Sequence, residues 1–120
     1  MTTSKLETLL AKLKERTEDS YVTWVETESE NQFQAVLGQY IVRIVEIATG
    51  EPEVDYIFRI LGDEGAVIET ISDVDLHRQN PDFPAFQTMR QIFNLARRSS
   101  MGADKVIDSI IRELDDIRLF

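Results

Sequence analysis

Residues 39–47, Gln-Tyr-Ile-Val-Arg-Ile-Val-Glu-Ile, constrain the fold more than any other stretch. The run is β-branched or aromatic at nearly every position and is broken only by Arg43 and Glu46. Such a segment suits the middle of a sheet, where both faces need cover. The rest of the chain arranges itself around it.

Strand patterns flank the run on both sides. Residues 21–26 form one, anchored by Trp24, and residues 32–37 form another in which Phe33, Ala35 and Leu37 alternate. Gly38 separates the second from the central run as a bulge or tight bend. Downstream, residues 55–61 place Tyr56, Phe58 and Ile60 on one face and Ile57, Arg59 and Leu61 on the other. The sequence Gly62-Asp63-Glu64-Gly65 is a hairpin loop with Gly65 suited to positive φ, and residues 66–72 return as a fifth strand. Short connections make an antiparallel meander the simplest topology.

Helical patterns occupy both ends. From 4 to 16, Leu6, Leu9, Leu10 and Leu13 form one apolar stripe, and Ser4 with Glu7 has capping-box spacing. Residues 73–83 read as a polar, proline-containing loop. Pro84 then opens a helix whose stripe is Phe86, Met89, Ile92, Phe93 and Ala96, with Arg97 and Arg98 at its C-terminal end. A last helix from Asp104 puts Val106, Ile107, Ile110, Ile111, Leu114 and Ile117 on one side. The expectation is a single α+β domain over 1–120: an N-terminal helix, a meander of about five strands, and two C-terminal helices packed on the sheet.

Composition sets the class. A chain of 120 residues with 42% hydrophobic and 29% charged side chains can build one core without staples. With no cysteine, disulfides, thiolate metal sites and thiol nucleophiles drop out. No signal peptide or membrane span is legible, so a cytoplasmic protein is expected. The formal charge of −9 repels nucleic acid and anionic membranes and favours basic partners. No phosphate loop, dinucleotide fingerprint, nucleophile elbow or zinc-protease motif is present, and no cofactor is expected.

The C-terminal pattern Leu95-Ala96-Arg97-Arg98-x-x-x-Gly102, then Val106-Ile107-Asp108-x-Ile110-Ile111-x-Glu113-Leu114, resembles the end of a family of small uncharacterised bacterial α+β proteins. Trp24, Phe33 and Gly38-x-Tyr40 resemble the same family. The resemblance implies a compact bacterial domain and supplies no catalytic residues.

Two constellations are candidates for chemistry. Asp73, Asp75 and His77 would share a face if their segment were extended, and two carboxylates with an imidazole suit a divalent metal. The competing reading is a polar loop with an aspartate capping a turn. Arg43 and Arg59 sit inside apolar strands and, in a meander, would recognise a carboxylate or phosphate together. The competing reading pairs them with Glu46 or Glu69.

The remaining clue is apolar surplus. If the N-terminal helix leaves the second sheet face bare, Ile41, Val45, Ile57 and Leu61 need a partner there, and the chain also ends in the apolar tip Ile117-Arg118-Leu119-Phe120. The leading expectation is therefore an acidic non-catalytic protein–protein interaction module of immunity, chaperone or adaptor type, with a protein partner or self-association as a dimer. The alternative is a small-molecule- or metal-binding protein or enzyme built on the 73–77 loop.

Overall fold

The computed structural model describes residues 2–50 and 52–117, with side chains from residue 5 onward. Helix α1 (Thr2–Glu18) leads into five strands: β1 (Val25–Glu26), β2 (Gln32–Leu37), β3 (Tyr40–Gly50), β4 (Glu53–Leu61) and β5 (Val67–Ser72). Helices α2 (Asp73–Gln79), α3 (Ala85–Ser100) and α4 (Ala103–Asp116) follow. The strands lie in the order β1-β2-β3-β4-β5, every neighbouring pair antiparallel, so the sheet is the expected meander with the 39–47 run at its centre.

Period-two alternation decides which side of the sheet is covered. Phe33 and Ala35 on β2, Val42 and Ile44 on β3, Tyr56 and Phe58 on β4 and Ile71 on β5 all point to one face and are buried. They meet Ala85, Met89, Ile92, Phe93 and Ala96 of α3 in one core. Phe93 lies against both Phe33 and Tyr56, with ring centroids 5.3 and 5.7 Å apart and tilted planes, a favourable geometry for ring quadrupoles. Leu6, Leu10 and Leu13 of α1 join the same core by packing on α3. Helix α1 begins two residues before Ser4, which is therefore not its N-cap.

The first strand pattern is much shorter than expected. Only Val25 and Glu26 pair with β2; of the residues before them Val22 and Trp24 are buried in the core while Tyr21 and Thr23 are exposed. Trp24 is buried there and donates its indole N–H to Thr17 Oγ1 at 3.1 Å, while that hydroxyl donates to the Leu13 carbonyl at 2.7 Å. The predicted positive φ at Gly65 is present at 87°, closing the β4–β5 hairpin.

Residues 73–79 are helix, not loop. Ser72 is an N-cap whose Oγ accepts the Asp75 N–H at 3.0 Å, and Asp73 and Asp75 sit at the positive end of the helix dipole. Leu76 anchors this short helix in the core. Asp73 is buried as well: its Oδ1 accepts the backbone N–H of Tyr56 at 2.8 Å. That carboxylate stands where the next residue of β5 would have offered a carbonyl, so the ladder gains one more bond after the strand has become helix.

Helix α4 takes a separate course. Gly102 adopts φ 62°, ψ 40° at its start, a left-handed conformation that glycine enters without steric cost. The Arg98 guanidinium bonds Asp104 at 3.0 Å across the junction. Beyond it α4 buries no residue at all. The molecule is correspondingly long, 65 × 34 × 25 Å, with a radius of gyration of 16.9 Å. A compact domain of this length has about 14 Å.

Candidate functional site

The face of the sheet turned away from α1, α2 and α3 carries no helix. Register places Val36, Ile41, Leu61 and Val67 in one cross-strand row and Val45 and Ile57 in another. The ends of the first row are open, Val36 at 66% and Val67 at 58% exposed. Of the four residues expected on this face, Leu61 is buried and Ile41, Val45 and Ile57 are half-buried by their strand neighbours alone. The N-terminal helix gives them no cover, because it packs on α3 behind the opposite face.

Between these apolar rows runs a polar one, Gln34–Arg43–Arg59–Thr70. Arg43 and Arg59 lie on this one face as direct cross-strand partners. Neither is neutralised by Glu46 or Glu69, which register places on the helix side of the sheet. Arg43 donates through Nε to Gln34 Oε1 at 3.0 Å, and Arg59 has no hydrogen-bond or ion-pair partner among the described residues. Like charges directly opposite each other destabilise a sheet, so this pair suits an anionic group supplied from outside.

Glu46 is engaged elsewhere. It accepts the Tyr56 hydroxyl proton at 2.8 Å, in a groove also lined by Asp55, Phe86 and Arg90. Burial, followed by the hydrogen bond to Glu46, pushes the Tyr56 phenol well above its ordinary range. Below pH about 10 both folded and unfolded chains hold this proton and the contribution to stability is complete. Above it the unfolded chain releases the proton while the folded chain keeps it, so stability falls as pH rises. Urea midpoints measured from pH 8 to 11 are expected to show this decline, with a shallower slope for Tyr56→Phe. Parallel slopes for the two proteins would refute the assignment.

The residues 73, 75 and 77 do not converge. On a helix, positions two apart point to nearly opposite sides. Asp73 turns into the core onto Tyr56, Asp75 stays at the surface with Arg78 at 3.7 Å, and His77 is exposed. The shared face assumed for an extended segment is absent, and no group of three or more His, Cys, Asp or Glu is placed to hold a metal among the described residues.

The second apolar surface is α4. Val106, Ile107, Ile110, Ile111, Leu114 and Ile117 form its stripe, each between 45% and 61% exposed. The sequence pattern identified this stripe; what it did not reveal is that α3, with α1 and α2 beside it, would fill the sheet's helix-side face. The rest of the apolar chain end, 118–120, lies outside the described residues. No described helix is long and apolar enough to cross a membrane. No family model, curated protein or solved structure matches the chain.

Proposed function

We propose that this chain is a small acidic interaction module that acts by binding protein and not by catalysis. The observation supporting this reading is α4: fourteen residues with a continuous aliphatic stripe and no buried side chain. A helix of that length is marginal in water on its own, and most helical stability comes from packing an apolar face. The stripe alone amounts to roughly 500–600 Å² of apolar surface, the upper end of the largest patch on a typical monomer. Patches of this size are often functional.

The test is a comparative capture. Tagged wild type and the double variant Ile110→Asp/Ile111→Asp are passed through lysate of the native host at moderate salt. The expected result is a stoichiometric protein, either a different chain or this one, retained by the wild type and lost by the variant. Equal recoveries from both baits would defeat the proposal. Because α4 buries nothing, both baits should keep the emission of a buried Trp24, which checks that the body is intact.

A further inference from the structure

We infer that the occupant of both bare surfaces is a second copy of this chain, with α4 of each copy lying across the open sheet face of the other. The inference rests on the interaction-module reading and names its partner. Each chain carries one protruding apolar helix and one uncovered apolar sheet face, and neither meets the other within the chain. Two unlike patches on one chain close into a symmetric pair when each copy offers its helix and receives its partner's.

Dimensions and area agree. A fourteen-residue helix is about 21 Å long. The open row from Val36 to Val67 crosses four strands, β2 to β5, which at ~4.8 Å spacing span about 14 Å, within the length of the helix. The stripe of α4 together with the open row from Val36 to Val67 brings each copy near the ~800 Å² per partner of a standard interface. Pairing of two α4 helices alone would bury the stripes and leave both sheet faces bare.

Charge agrees as well. Helix α4 carries five acidic residues, Asp104, Asp108, Glu113, Asp115 and Asp116, against Lys105 and Arg112. Asp104 is already bonded to Arg98. Glu113 lies three residues after Ile110 and four before Ile117, along the border of the stripe. A helix laid stripe-down on the sheet brings that carboxylate to the row where Arg43 and Arg59 face each other. The pair then receives the anion it lacks, through charge-assisted hydrogen bonds.

Sedimentation of the purified full chain between about 1 and 500 μM decides the matter, on an affinity scale where tenfold in Kd is the natural step. The expected result is twice the 13.8 kDa chain mass for wild type and a single-chain mass for Ile110→Asp. Arg59→Glu should weaken the dimer at least tenfold, and adding Glu113→Arg in the same chain should restore it. Wild-type affinity in Arg59→Glu would overturn docking on the sheet. A wild type that stays at single-chain mass throughout would overturn the second copy as partner. In that event, α4-dependent capture of a different protein leaves the module reading standing, and its absence ends both.

Discussion

Replacing Trp24 by Ala is expected to cost about 3–5 kcal/mol of unfolding free energy, a large share of what a domain of this size has in total. The indole is 1% exposed and occupies the corner where the end of α1 meets the start of the sheet. Truncation removes the apolar bulk, leaves a cavity, and strips Thr17 Oγ1 of its indole donor in a buried place. Trp24→Phe keeps most of the bulk and loses only the N–H, so its cost should be the smaller of the two. Urea unfolding followed by far-ultraviolet circular dichroism measures both, since the only tryptophan is lost as a fluorescent probe. An alanine variant within about 1 kcal/mol of wild type, the size of an ordinary surface change, would mean that the corner is not packed as described.

A second large effect is expected at Leu76, with its sequence neighbour as the control. Leu76 is fully buried in the core, and Leu76→Ala should destabilise by about 2–5 kcal/mol. His77→Ala, one position on at the exposed surface, should stay within about 0.5 kcal/mol. The contrast separates a helix with one face in the core and the other in solvent from a polar loop, in which both changes would be mild. It also fixes the weight of the only histidine in the chain. A reversed order of the two effects would contradict the placement of α2.

Most of the architecture was legible because it follows from periodicity. The alternation of Phe33, Ala35 and Leu37, and of Tyr56, Phe58 and Ile60, is a local signal that survives whatever the rest of the chain does. The same alternation put Arg43 and Arg59 within reach of each other, since hairpins between consecutive strands leave few registers to choose from. Helix α2 was missed for a physical reason. Seven residues are too few to display a 3.6-residue period, and Asp73, Asp75 and Asn80 favour loops when judged one at a time. The signal that was available is Ser72 three residues before Asp75, a cap followed by an acidic first turn.

What could not be read was cover. A stripe says that a helix has an apolar face and does not say what lies against it. The pattern on α4 looks no different from that on α3, yet α3 buries six residues and α4 none. That difference belongs to geometry: a helix of sixteen residues, backed by α1 and α2, already spans the helix side of the sheet. The arginine row was equally ambiguous in one dimension, because only the register decides that Glu46 and Glu69 fall on the wrong side to neutralise it.

The meander also sets the order in which the molecule can take shape. Every strand pairs only with strands adjacent to it in sequence, so each hairpin closes a short loop at little entropic expense. The long-distance closures are those of α3 with α1, β1 and β2, together with the bond from Asn80 to Glu7 across 73 positions. All five strands are complete at Ser72, while the helix that covers them begins at Ala85. In the order of synthesis all five strand segments therefore precede the helix α3, whose Met89, Ile92 and Phe93 complete the core on one face of the sheet.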